Sequence, residues 1–110
     1  MKIDLEEFAR RVHQTSVDRG FHTEVGPTAR GQWWIPLALL LINEEVGEAT
    51  KEWRRNGESD AFVEELADIQ IRLLDLACRE EIGIRQFLDI LIRKADDNED
   101  RPHMHGGRRM

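Results

Sequence analysis

The chain has 110 residues and a formal net charge of −6. That length accommodates one domain with one modest core, and the negative charge argues against a nucleic-acid backbone as partner. A single cysteine, Cys78, excludes an internal disulfide framework and fits a reducing compartment.

Glu, Leu, Ile, Ala and Arg are plentiful, Tyr is absent and only three prolines occur, a composition that favours helices. Cys78 lies among apolar residues and reads as packing. No segment approaches the ~20 apolar residues of a membrane span, and the acidic N-terminus lacks a signal-peptide pattern. The expectation is a soluble, cytoplasmic protein with no membrane partner.

The elements follow in chain order. Asp4 and Glu7 form a capping-box pattern, with Leu5, Phe8 and Val12 at helical spacing, which predicts a first helix over about 4–18. "RGFHTEVGPTARG" (19–31) has glycine, proline and no period, and reads as a loop of functional length. A second helix should start near Trp33–Pro36, where proline is tolerated in the first turn. It should stop at "RRNG", with Asn56-Gly57 as the terminator. Ser59 can cap a third helix over about 60–79, "EEIG" is a short break, and a fourth helix over about 84–100 carries Phe87, Leu88, Leu91 and Ile92 inward. "HMHGGRRM" (103–110) reads as a flexible basic tail. Four helices with short links and no strand signal predict an all-α, four-helix bundle-like domain spanning 1–110.

The second helix poses a problem. At ~100° per residue, Glu45 falls between Leu41 and Ala38, and Glu48 between Leu37 and Leu41, inside the apolar sector; Glu44 lies towards its edge. Ionised carboxylates there cost several kcal/mol each unless something cationic meets them. A solvated acidic face is the competing reading. The third helix offers a second pair, Glu65 and Asp68, whose stripe continues through Arg72 and Asp75. Taken alone, that stripe could equally face water. Helices joined by a short turn pack antiparallel, and residues three apart share a face, so four carboxylates can converge. Hard oxygen donors in that number suit Mg²⁺ or Mn²⁺. A di-iron bundle would require Glu-x-x-His on two helices, which neither helix has. The histidines His13, His22, His103 and His105 fall near ends or in loops; His103-x-His105 could bind metal, but a tail is the simpler reading.

"EEVGE" (44–48) followed by "ELAD" (65–68) resembles the EExxE…ExxD pattern of the all-α nucleoside triphosphate pyrophosphohydrolases, and most closely the small MazG-like group. The likeness continues through "IRLLDLA" (71–77) and into "RKADDNEDRPHMHGG" (93–107), covering about residues 33–109. It implies a MazG-like helical bundle completed by dimerisation, as a homodimer or dimer-based tetramer. It also implies Mg²⁺-dependent hydrolysis of a nucleoside triphosphate to the monophosphate and pyrophosphate, in nucleotide-pool control or house-cleaning. Carried over, the metal ligands fall on Glu45, Glu48, Glu65 and Asp68. Glu44 becomes a candidate for positioning water, and Glu44 and Glu45 are the candidate catalytic carboxylates. Lys94, Asn98 and Arg101 match the family's ending and recur on one helix face, where they could meet phosphate oxygens; their spacing alone favours an ordinary charged surface. Trp33 and Trp34 could stack on a base, or serve core or dimer packing. Trp53 falls on the apolar side and reads as core. Two alternatives stay open: a phosphoribosyl-ATP pyrophosphohydrolase-like enzyme, and a non-catalytic helical module that binds metal or nucleotide and oligomerises.

Overall fold

A computed structural model describes residues 1–22 and 34–101. Trp33, His103, His105, the tail and most of the long loop lie outside the described residues. Among the described residues there are four helices: α1 (Leu5–Asp18), α2 (Trp34–Asn56), α3 (Asp60–Ala77) and α4 (Ile84–Asp100). No strand occurs among the described residues, and no helix there is long and apolar enough to cross a membrane.

The ends follow local chemistry. The Asp4 carboxylate accepts from the Glu7 N–H at 3.1 Å, and the Ser59 hydroxyl accepts from the Phe62 N–H at 3.1 Å. Each satisfies a donor that helix geometry leaves unpaired. α2 closes with Arg54 and Arg55 in its last turn, and Gly57 follows at φ +65°. That left-handed conformation is open to glycine at no steric cost, and it turns the chain so tightly that Ser59 already caps α3.

α3 is the hub of the packing. It touches α1, α2 and α4, whereas α2 and α4 do not meet. The buried centre is small: Ala9, Leu74, Ala77 and Ile84, with Phe8, Cys78, Phe87 and Leu88 partly buried against it. Two expectations are corrected here. Leu91 and Ile92 are 43% and 61% exposed rather than inward, because α4 has no α2 opposite its later turns. Trp53 is 50% exposed rather than core; its indole N–H donates to Glu58 at 2.9 Å across the Gly57 turn. Leu39, Leu40, Val46, Val63 and Leu66 are also substantially exposed, so α2 and α3 carry apolar surface that the other described residues do not cover.

Candidate active site

The antiparallel pairing of α2 and α3 brings Glu45 of α2 beside Glu65 and Asp68 of α3. One carboxylate oxygen from each lies within 4.8 Å of the others. Partial desolvation raises the Glu65 carboxyl above its usual 4.5; Glu45 adds to this by charge and by a shared hydrogen bond, and Asp68 and Glu48 by charge. The donors fit a hard divalent ion.

Glu48 departs from expectation. Its carboxylate is 57% exposed and lies 3.9 Å from Lys51 rather than among the three acids, although its charge still reaches Glu65. The wheel places Glu48 near the apolar sector, but the helix sector facing α3 is narrower than the apolar stripe. Glu44 is exposed on α2 and is not one of the three converging acids. Asp68, whose stripe could have faced water, is exposed yet aimed at the group.

A cavity of about 340 Å³ opens beside the acids, lined by Glu45, Asp68, Ile71, Arg72 and Asp75 with Val12, Thr15, Ser16 and Phe21. A second, of about 300 Å³, is lined by Phe21, Trp34, Leu37, Ala38, Leu41, Arg72 and Asp75. Phe21, Arg72 and Asp75 belong to both, so the acids lead past Arg72 to an aromatic and aliphatic recess. Arg72 donates from Nε to Glu45 Oε2 at 2.8 Å.

Behind this recess lies a polar cluster that sequence reasoning missed. Asp75 accepts from His13 Nδ1 at 2.8 Å, from the Ser16 hydroxyl at 2.7 Å, and from His22 Nε2 at 2.8 and 3.0 Å. Arg79 Nη1 lies 3.1 Å from His22 Nδ1. Arginine only donates, so His22 Nδ1 accepts and the ring proton sits on Nε2, facing Asp75. His13, His22 and Asp75 also converge within metal-binding range. The arginine counts against that use, since a metal-binding Nε2 would leave an N–H on Nδ1 pointing at another donor. No sequence signal marks this cluster: His22 sits in an aperiodic loop, and 62 residues separate His13 from Asp75.

The cluster seats Trp34. The His22 ring stacks on its indole at 4.4 Å and 19°, and the Arg79 guanidinium carbon lies 4.4 Å from the same ring. Arg79 and His22 touch each other, so both occupy one side of the indole; on opposite sides they would stand more than twice as far apart. The Trp34 N–H donates to the Phe21 carbonyl at 3.0 Å. One face of the indole is thus packed and its orientation fixed, while the residue also borders the 300 Å³ recess.

Lys94, Asn98 and Arg101 lie in the exposed last turns of α4 and at its C-cap. None of them lines either cavity, and α4 does not touch α2. Within one chain they are grouped on the last part of α4, away from both cavities. Compared with protein-family models, curated proteins and solved structures, the chain matches none, so the family resemblance rests on its motifs.

Proposed function

We propose that the chain is a cytoplasmic, Mg²⁺-dependent nucleoside triphosphate pyrophosphohydrolase of MazG-like type that works as a homo-oligomer. The observation that carries the reading is the convergence of Glu45, Glu65 and Asp68 from two helices, with Glu45 and Asp68 lining a cavity that shares Phe21, Arg72 and Asp75 with the recess bordered by Trp34. Glu45, Glu65 and Asp68 would hold the metal, and Glu48 is a further carboxylate whose charge reaches Glu65. When bound, Mg²⁺ supplies charge neutralisation at the phosphates and makes a nearby water more acidic. Glu45 or Glu44 accepts the proton of the water that attacks the α-phosphorus. The recess takes the base, with the uncovered side of Trp34 as the stacking surface. Its aliphatic wall of Leu37, Ala38 and Leu41 excludes water from that end.

The uncovered apolar face of α2, α3 and α4 supports assembly with a second copy as a dimer or dimer-based tetramer. Such a neighbour is also the simplest way for Lys94, Asn98 and Arg101 to approach the acids of another chain. The test is a panel of nucleoside triphosphates, with phosphoribosyl-ATP among them, assayed for pyrophosphate release with and without Mg²⁺. Release of pyrophosphate and monophosphate from at least one substrate is expected. Products of diphosphate and orthophosphate would overturn the reaction, and no turnover with a retained metal response would favour a binding module.

A further inference from the structure

Arg72 stands where the two halves of the site meet, and two features of it are unusual for a structural ion pair. Its link to Glu45 runs through Nε alone, at 2.8 Å, so the forked Nη groups are not spent on that carboxylate. No hydrogen bond ties those Nη groups to another described residue, and Arg72 borders both cavities. Its side chain is 40% exposed, against 19% for Glu45. Glu45 belongs to the trio of converging acids. Lys51 stands 3.9 Å from Glu48, on the exposed side of α2. Among the described residues, Arg72 is therefore the cation held against the trio when no metal is bound.

We infer that Arg72 is an exchangeable counter-cation: it holds Glu45 in the metal-free protein, yields that oxygen to an arriving divalent ion, and then turns its guanidinium to the substrate's phosphate oxygens. The inference rests on the metal-site reading above. A guanidinium bonded to a carboxylate that must also meet a doubly charged ion is repelled by that ion. Once released, its planar set of donors matches phosphate geometry better than a lysine would. Metal and triphosphate would bind in a linked way, because the ion frees the residue that the triphosphate needs. An arginine that merely orients Glu45 for the metal predicts the opposite sign, since removing a partner that orients a ligand weakens metal binding.

The experiment uses Arg72→Gln and Arg72→Lys in the full chain. Mn²⁺ binding is measured by calorimetry without nucleotide, and binding of a non-hydrolysable triphosphate analogue is measured with Mn²⁺ present. Arg72→Gln should bind Mn²⁺ about fivefold tighter or more, since a nearby positive charge is gone, and should bind the analogue roughly tenfold more weakly or worse. Arg72→Lys, which keeps the charge and loses the fork, should match wild type for Mn²⁺ and still lose analogue affinity. Mn²⁺ binding that is unchanged or weaker in Arg72→Gln, or equally tightened in Arg72→Lys, overturns the inference while leaving the metal site standing. Failure of wild type itself to bind Mn²⁺ overturns the metal-site reading and this inference with it.

Discussion

Replacing Asp75 by alanine should destabilise this protein more than any single change among its exposed acids. Asp75 accepts three hydrogen bonds, from His13, His22 and Ser16. A bond to a charged group contributes about 1.5–3 kcal/mol, and a buried donor left without its partner costs about 1–3 kcal/mol. The three donors are not equally protected. The His13 side chain is 25% exposed and can regain water, whereas His22 at 9% and Ser16 at 8% cannot readily do so. Counting the two protected bonds at about 2 kcal/mol each and the third at a fraction of that gives a loss of roughly 4–5 kcal/mol. With an unfolding entropy of about 2.1 cal/mol/K per residue, each kcal/mol moves the midpoint of a chain this size by about 4 °C, so the melting temperature should fall by roughly 15–20 °C. Asp75→Asn keeps one acceptor oxygen and should lose about half as much. The assay is thermal and urea unfolding followed by far-ultraviolet circular dichroism in EDTA, at one fixed protein concentration because the proposed assembly links stability to concentration. A loss below about 1 kcal/mol in Asp75→Ala would mean that the donors rehydrate freely, and the cluster would not be a structural tie.

Asp68→Asn keeps the shape of an exposed side chain and removes one carboxylate charge, so it should abolish Mg²⁺-dependent pyrophosphate release while leaving the metal-free melting temperature within a few degrees; near-normal turnover would remove Asp68 from the site. Glu65 has a folded-state pKa above 4.5, so its contribution to stability is present below the unfolded value and is lost as pH rises through the folded one. Without metal, wild type should therefore lose stability relative to Glu65→Gln as pH rises above the ordinary carboxylate range, and parallel pH profiles would refute this. Mg²⁺ at a hundred times its dissociation constant should add ~2.7 kcal/mol, and Glu48→Gln should reduce that gain less than Glu65→Gln does; equal melting of wild type in EDTA and in Mg²⁺ would show that the acids hold no ion. Light scattering at micromolar concentration should give at least twice the chain mass, and a monomer would leave the exposed leucines of α2 unexplained.

What the sequence disclosed and what it hid follow from how far each signal reaches. The caps at Asp4 and Ser59 and the Gly57 turn are local, each decided within four residues, and they set the helix ends. The pairing of α2 with α3 follows from so short a turn, and with it the approach of Glu45 to Glu65 and Asp68. The wheel overreached at Glu48, because an apolar stripe shows which side avoids water but not how much of it a neighbouring helix covers. The same limit applies to Leu91, Ile92 and Trp53, whose apolar character gave no hint that this chain leaves them exposed. The Asp75 cluster was out of reach for a different reason. Each of its members is an ordinary polar residue on its own segment, and only the docking of α1 and the Phe21–His22 turn on α3 makes them a unit.

The contrast between the α2–α3 turn and the Asp75 cluster also bears on the order in which the molecule assembles. The turn joins its helices through three residues, Gly57 to Ser59, whereas the bonds to Asp75 close stretches of 53 to 62 residues. The entropy of closing a loop grows by about 0.6 kcal/mol per doubling, so the cluster carries roughly 2.5 kcal/mol more than the turn before any contact repays it. The α2–α3 hairpin therefore forms early and α1 arrives late. In the native state an opening that breaks the Asp75 bonds releases α1 from α3 while the short-turned α2–α3 hairpin stays closed. Amide protons of α1 should exchange through that partial opening, while those of α2 and α3 wait for global unfolding. Thus the acids can stay paired across their hairpin even in molecules whose Asp75 cluster, and with it the seat of Trp34, has momentarily come apart.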